Sequence, residues 1–396
     1  MSGRFVIVNL ALFMFFVLPQ MLLNALGAYP GKLRVQMDFG VEFLVGMQCL
    51  VLFVVVFLFA AYLAKIDRAR IRELTEIIAR RTSFQMLCLA ITAICYLLLA
   101  LDIGVKQTSA SENFVIRFLP REIVTVAALL CAIVTRKRFW ILLLAANILY
   151  WVLTGSKASL FIVVLAFLYY HTLERLPIRP AHLVWAGLAL ILLPFSFVIP
   201  AALRENLPLS ETLRLLYGSA DFMGQTLGKI AGRVSWLDGM FLSSWDVEPL
   251  ANFGFFDFIG VLLARLVPGF PPPVAPFGQQ IIYLFRATEL TNFSGALGMP
   301  GMLKVILYNH GLLAQSAIAA FIGAIFFFFF RMTRSRNPGT MIVGMTLLVV
   351  SVSSLAISGN LDSALAKLIP LMISGFVFIR VSRFVLLRRQ YAAVRK

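Results

Sequence analysis

Long apolar runs constrain this chain more than any other feature of its sequence. Hydrophobic residues make up 61 % of its 396 residues and charged residues 13 %, against about 45–50 % and about 25 % in soluble domains. A soluble fold would have to hide nearly all of that apolar surface, whereas a bilayer accepts it on helices of about 20 residues. The sequence therefore predicts an all-α polytopic membrane protein.

Ten apolar runs predict ten transmembrane helices. Residues 139–172 are divided at Thr154-Gly155-Ser156-Lys157, because one helix of about 34 residues would be about 50 Å long, too long for a hydrocarbon core of about 30 Å. The division gives a hairpin of two short helices whose basic flanks lie on one side. The predicted spans are 5–28, 42–64, 84–103, 122–135, 139–153, 158–172, 183–202, 308–330, 340–358 and 368–385.

The formal net charge of +17 predicts orientation rather than a nucleic-acid partner. With the N-terminus inside, the predicted cytoplasmic segments hold 21 of the 35 Lys and Arg residues and only four acids, which leaves 14 of each sign elsewhere. Positive charge concentrates on the cytoplasmic side of membrane proteins, so both termini are expected inside. The cytoplasmic segments are the N-terminus, 65–81, 136–138, 172–182, 331–339 and 380–396.

The chain is expected to have three parts. Residues 1–202 form an N-terminal bundle of about seven spans, 203–307 form a large loop on the outer face, and 308–396 form a C-terminal bundle of about three spans. Loops this long are usually functional. Within the loop, 209–230 has helical amphipathic spacing, and Phe255–Val267 is apolar but too short to cross, which favours an interfacial or re-entrant helix.

Cations of the outer face are the candidate ligands for a phosphate group, because Arg binds phosphate bidentately. Arg233 has apolar neighbours on both sides, and Arg265 lies inside the apolar segment 255–267, where an unpaired charge is costly. Lys157 lies at the tip of the predicted hairpin. Contact with lipid head groups, or snorkelling in the case of the lysine, remains the alternative interpretation of these cations.

His310 is the one histidine of the three that is predicted to face outward. A histidine at a helix terminus can act as a base or bind phosphate; the alternative is an interfacial histidine bonded to a neighbour. All four cysteines fall in apolar runs and are expected to be small hydrophobic residues rather than disulfides or ligands. The sequence holds no metal or nucleotide motif, so we expect no metal and no cofactor.

Three local segments resemble the Wzy-type polysaccharide polymerases and the related O-antigen ligases, whose large periplasmic loop also lies in the second half of the chain. Residues 154–159 (TGSKAS) resemble the short T-G-S-R hairpin of these families. Residues 262–272 resemble a Pro-Arg stretch of their large loop, and 298–313, with Tyr308-Asn309-His310-Gly311, resemble the start of the span after that loop. The likeness covers most of the chain as layout and about thirty residues as motif.

The resemblance implies a C-type glycosyltransferase-like helical fold in the bacterial inner membrane. It implies polymerisation of oligosaccharide repeat units, carried on undecaprenyl diphosphate, at the periplasmic face, in the synthesis of lipopolysaccharide or exopolysaccharide. A flippase and a chain-length regulator of the same pathway are further expected partners, with no nucleic acid. The resemblance implies Arg233, Arg265 and Lys157 as diphosphate ligands and places His310 near the reacting hydroxyl. From the residue types of the outer face, Arg286 is a further candidate ligand, and His310 is the first choice of base with Glu289 or Asp238 second. Candidate sugar contacts are Tyr308, Asn309 and Trp236, and the alternative for Trp236 is an interfacial anchor.

Three alternatives stay open at this point. Lys157 stands where the family has arginine, and His310 stands where polymerases have an aromatic residue, so an O-antigen ligase is the nearest alternative. A lipid-linked sugar flippase should carry charges along its spans, yet the predicted spans are almost free of charge and their exceptions (Glu42, Asp102 and Glu122) lie near the outer ends. A scaffold subunit of an envelope complex should tolerate the loss of Arg233 or Arg265.

Overall fold

The computed structural model is helical throughout the part of the chain that it describes. The described residues are 3–15, 17–18, 21, 40–66, 69–101, 118–154, 157–176, 240, 255–267, 271–273, 298–358 and 361–394. Their helices are α1 (Gly3–Phe15), α2 (Val41–Leu63), α3 (Ile71–Ala79), α4 (Thr82–Ala100), α5 (Arg121–Thr135), α6 (Arg138–Leu153), α7 (Lys157–Leu173), α8 (Phe255–Leu266), α9 (Gly298–Thr333), α10 (Pro338–Ser351), a π-helical segment (Val352–Ser358) and α11 (Leu361–Val394).

Five helical segments in these ranges are long and apolar enough to cross a membrane. They are Val41–Leu63, Thr82–Ala100, Gly298–Thr333, Pro338–Leu355 and Ala364–Phe384. Only 33 % of the most apolar 18-residue stretch of α2 is buried inside the protein. Val51, Val55 and Phe59 on this helix are each more than half exposed. Such a surface suits lipid acyl chains rather than water, as expected for a helical membrane protein.

The described helices group into two units, each built from separated stretches of chain. The first unit holds α1, α2, α8, α9 up to Phe328, the π-helical segment and the start of α11. The second holds α3 to α7, the end of α9, α10 up to Val350 and the rest of α11. Each unit therefore combines residues from both halves of the chain.

Phenylalanine rings form the core of the first unit. Phe53 and Phe57 lie one turn apart on α2, so that both rings fall on one face of the helix. Phe13 of α1 packs edge-on against both rings at 5.2 Å between centroids, and Phe326 of α9 packs against Phe57 at 4.8 Å. All four side chains are fully or almost fully buried. Edge-to-face geometry adds to their burial, which accounts for part of the high phenylalanine content.

Helix α5 is the central element of the second unit. Ten consecutive residues, Ile123 to Ala132, are buried, so this helix is surrounded by protein on all sides. It ends at Arg136, whose φ of 53° is left-handed, and two residues later α6 begins. Asn147 of α6 donates to Thr92 Oγ1 of α4 at 3.1 Å, and Trp151 Nε1 donates to Thr125 Oγ1 of α5 at 3.1 Å. Buried polar side chains thus fix the register of three helices.

Six of the predicted spans coincide with described helices, the ninth (340–358) with α10 and the π-helical segment after it. Of these six, the helices at the second, third and ninth spans are long enough to cross a membrane, and α5, α6 and α7 are shorter. Predicted segments 42–64, 84–103, 122–135, 139–153 and 158–172 coincide with α2, α4, α5, α6 and α7 to within three residues at each end. The division of residues 139–172 into two helices is also confirmed, since α6 ends at Leu153 and α7 begins at Lys157. The predicted span 183–202 lies outside the described residues, and 5–28 is described only in part.

The eighth and tenth predicted spans begin earlier in the structure than the sequence indicated. Helix α9 starts at Gly298, ten residues before the predicted 308 and inside the segment assigned to the outer loop. Pro300 in its first turn suits a helix start, where a backbone N–H is not needed. Helix α11 starts at Leu361 and carries Pro370 inside it. The turns of α9 and of α11 that precede the predicted starts contain a lysine or an aspartate. Such a charge lowers the local hydropathy without preventing a helix.

The short apolar segment predicted to be helical at 255–267 is a helix in the structure. Helix α8 spans Phe255–Leu266, one residue shorter than the predicted segment 255–267. At 12 residues it is about 18 Å long, well below the length needed to cross the hydrocarbon core. The division into parts at 202 and 307 stays a prediction.

Candidate functional site

The segment Tyr308-Asn309-His310 lies on α9 immediately before a break in that helix. Gly311 has φ 79° and ψ 177°, a conformation that is open almost only to glycine because a Cβ atom would clash with its own backbone. The 13 residues from Gly298 to His310 therefore form a helical segment distinct from the apolar remainder of α9. The predicted base is at the last position of this segment.

A buried ion pair anchors this segment to α2. The side chain of Lys304 is fully buried, and its Nζ lies 2.8 Å from Glu42 Oε2. The same ammonium donates to the backbone oxygen of Glu42 at 2.6 Å and to that of Met240 at 2.8 Å. All three of its protons have an acceptor, which offsets the large cost of burying the charge.

A glycine on α2 makes this arrangement possible. A Cβ atom on Gly46 would lie 2.8 Å from the Cα and O atoms of Met240, closer than real Cβ atoms approach. The absence of a side chain at Gly46 lets the backbone of Met240 lie against α2, one turn from Glu42. The carbonyl of Met240 then reaches Lys304.

Tyr308 is part of the same cluster. Its hydroxyl donates to Glu42 Oε2 at 2.5 Å, and its ring centroid lies 5.5 Å from Lys304 Nζ, within the range of a cation–π contact. The Glu42 carboxylate thus bridges the lysine and the tyrosine. Sequence reasoning assigned Tyr308 to sugar binding; in the structure its hydroxyl is bonded to protein, and its side chain is half-buried.

Gln315 connects the two sides of the break in α9. Its Nε2 donates to the backbone oxygen of Leu303 at 3.3 Å and to Cys49 Sγ of α2 at 3.2 Å. Leu303 precedes the break and Gln315 follows it, so this buried amide holds the two helical segments at a fixed angle to each other. The break at Gly311 is therefore supported from both sides.

His310 is exposed, and Asn309 is half-buried. The side chains just past the break, Leu312 and Leu313, are 69 % and 85 % exposed, as lipid-facing residues would be. An imidazole at this boundary between a rigid polar cluster and an apolar surface can accept a proton from a hydroxyl group held beside it. The anchored segment fixes the backbone that carries it.

The charges in this cluster cancel. The ammonium of Lys304 is paired with the carboxylate of Glu42, so the pair contributes little net field at the distance of a ligand. We therefore infer that the buried Lys304 fixes the position of the segment 298–310 and does not bind an anion.

The structure places two of the predicted cations on helices. Lys157 is the first residue of α7, at the connection from α6, and Arg265 is the penultimate residue of α8. The conformations of these two side chains are not described. Of the other predicted site residues, Arg233, Trp236, Asp238, Arg286 and Glu289 lie outside the described residues.

Sequence reasoning missed Lys304. Its signal in the sequence is a single charge inside Met302-Leu303-Lys304-Val305-Ile306, a pattern that indicates a buried and partnered cation once the segment is known to be helical. Assignment of residues 203–307 to a loop concealed this pattern. Glu42 was noticed as a charged exception in a span, but its partner is 262 positions away.

Comparisons with protein-family models, with curated proteins and with solved structures find no match to this chain.

Proposed function

We propose that this chain is a membrane glycosyltransferase that polymerises oligosaccharide repeat units carried on undecaprenyl diphosphate, at the periplasmic face of a bacterial inner membrane. The observation that carries the proposal is the placement of His310. It is an exposed imidazole on the last turn of a helical segment that a buried ion pair anchors, directly before the break at Gly311. General bases are usually held by such rigid elements.

The proposed reaction forms one glycosidic bond and breaks one sugar–phosphate bond. The hydroxyl oxygen of the acceptor repeat unit attacks the anomeric carbon of the donor, and its proton passes to the imidazole of His310. The bond from that carbon to the diphosphate oxygen breaks, and undecaprenyl diphosphate leaves with the electron pair. Cations stabilise the charge that develops on the leaving group.

Arg233, Arg265, Arg286 and Lys157 are the proposed ligands of the diphosphate. Two of them lie at helix ends in the described part of the chain: Lys157 is the first residue of α7 and Arg265 is the penultimate residue of α8. Asn309 and Trp236 are proposed to contact the sugar, together with the ring of Tyr308. Glu289 and Asp238 remain the second choices for the base.

Replacement of His310 by alanine tests the proposal. Loss of a general base lowers turnover by about 10²–10⁴-fold, so we expect long polymer to disappear when His310→Ala replaces the native chain in its source bacterium. Gel electrophoresis of the extracted polysaccharide measures chain length, and immunoblotting confirms the amount of protein. Leu313→Ala is the matched control, because Leu313 lies three residues further on and is 85 % exposed.

Normal chain-length ladders with Arg233→Ala and with Arg265→Ala would overturn the polymerase proposal. A normal ladder with His310→Ala alone would move the base to Glu289 or Asp238. If deletion of the chain leaves full-length polymer on undecaprenyl diphosphate, unattached to lipid A core, the activity is that of an O-antigen ligase instead.

A further inference from the structure

Arg121, the first residue of α5, makes no close ion pair in the described part of the chain. Its Nη1 lies 3.4 Å from the hydroxyl oxygen of Tyr150, a long hydrogen bond to a neutral group. Its Nε is buried and has no hydrogen-bond partner. The neighbouring carboxylate of Glu122 attracts the guanidinium electrostatically, but no close ion pair joins the two side chains. A guanidinium has five donors, so most of its hydrogen-bonding capacity is unused.

Aromatic side chains hold the guanidinium in one orientation. Its Cζ lies 4.8 Å from the ring centroid of Trp151, a cation–π distance. Trp151 is held in turn by its hydrogen bond to Thr125. Tyr150 packs edge-on against both Trp151 and Tyr96, at 5.5 and 5.7 Å between centroids. The cation therefore lies on a rigid aromatic support.

Lys304 in the first unit shows what a satisfied buried cation looks like in this protein. Its three protons meet a carboxylate and two backbone oxygens. Arg121 meets one phenol and one aromatic face, and the Glu122 carboxylate attracts it without a close ion pair. Because a charge in a membrane-spanning bundle is costly unless it is well hydrogen-bonded, the difference leaves Arg121 with donors available for an anion.

The surrounding backbone favours an anion at the same end of these helices. Residues 121 and 125 of α5 contact residues 150 and 147 of α6, so the two helices run antiparallel and the start of α5 lies beside the end of α6. Lys157 begins α7 at this end, four residues after the last residue of α6. The backbone N–H groups at the starts of α5 and α7 add positive potential there.

We propose that Arg121 binds the phosphate group of a membrane lipid, through bidentate hydrogen bonds from its guanidinium. The shared chemistry is a phosphate ester at the end of an acyl or polyprenyl chain. Two lipids supply it: an anionic glycerophospholipid, which would stay bound as part of the fold, and a polyprenyl diphosphate, which would link this site to the proposed glycosyl transfer. The site itself does not depend on that transfer.

Lipid binding by the purified full chain tests the proposal. Delipidated protein in detergent is titrated with phosphatidylglycerol, with undecaprenyl diphosphate and with diacylglycerol, which lacks a phosphate, and bound lipid is counted by native mass spectrometry. We expect Arg121→Gln to weaken the binding of at least one of the two phosphate lipids by about tenfold or more, because a charge-assisted hydrogen-bonded pair is lost. The binding of diacylglycerol should stay unchanged. Arg138→Gln is the matched control, since Arg138 is the exposed first residue of α6.

The lipid that loses affinity identifies the source of the phosphate. The proposal would be overturned if Arg121→Gln bound each phosphate lipid as tightly as the wild type does. It would also be overturned if Arg138→Gln lost as much affinity for a phosphate lipid as Arg121→Gln. A second measurement needs no Arg121 variant: the phosphate lipid should change the tryptophan fluorescence of the wild type, and Trp151→Phe should abolish that change. The same fluorescence change with and without Trp151 would also overturn the proposal.

Discussion

At the scale of single residues, the Lys304–Glu42 pair makes a sharp prediction about stability. Removal of one partner of a buried pair leaves an uncompensated charge, which costs about 3–5 kcal/mol. Because the Glu42 side chain is 33 % exposed, we expect the lower end, about 3 kcal/mol, for Glu42→Ala, measured as a loss of thermal stability in detergent. Glu73→Ala is the control: Glu73 pairs with Arg70 at 3.8 Å, both more than 60 % exposed, so its loss should cost about 0.3 kcal/mol. Equal losses of thermal stability in the two variants would contradict the inference that Lys304 fixes the position of the segment 298–310.

The same pair shows why the candidate site was only partly predictable. His310, Asn309 and Tyr308 were found because polar residues stand out at the start of an apolar run. The acceptors of Lys304 are Glu42 and the backbone oxygen of Met240, which come from distant parts of the sequence, and a backbone carbonyl has no signature in a sequence. The positions of these polar residues could therefore be read from the sequence, and the contacts that hold their helical segment could not.

At the scale of elements, the break in α9 depends on the backbone of one glycine. A Cβ atom on Gly311 would meet no atom within 4 Å, so Gly311→Ala introduces strain without a clash. Its φ of 79° lies in a region that costs a non-glycine residue about 1–3 kcal/mol, and we expect a destabilisation of that size together with reduced polymerisation, as α9 straightens and His310 moves. Gly3→Ala is the control, because Gly3 also has open space around it but an ordinary helical φ. Unfolding scans and polymer ladders of both variants would show the contrast; equal behaviour would mean that the break carries no strain.

The bounds of α2 and of α4 to α7 were the most predictable part of the fold. The hairpin of α6 and α7 followed from arithmetic alone, since a single helix over residues 139–172 would exceed the bilayer. Helix starts were less predictable: α9 and α11 each begin with turns in which a charged residue lowers hydropathy, and in α9 the carboxylate of Glu42 compensates for the charge of Lys304. Hydropathy detects contact with lipid, whereas these turns are stabilised by contact with protein.

At the scale of the whole molecule, the distribution of charge predicts which side each end of α9 faces. The predicted cytoplasmic segments hold 21 basic and four acidic residues, and the remainder is neutral, so the connection after α9 should be cytoplasmic and His310 periplasmic. From Leu312 to Thr333 the helix is about 33 Å long, enough to cross the hydrocarbon core.

The four cysteines are all buried, which gives a low background for labelling a new cysteine. We therefore expect His310→Cys to react with a membrane-impermeant maleimide in intact cells, and Arg336→Cys, exposed in the connection after α9, to react only after the inner membrane is opened. The reverse pattern would place the anchored segment and its histidine in the cytoplasm, where undecaprenyl-linked repeat units are assembled rather than polymerised, and would remove the basis for the proposed reaction.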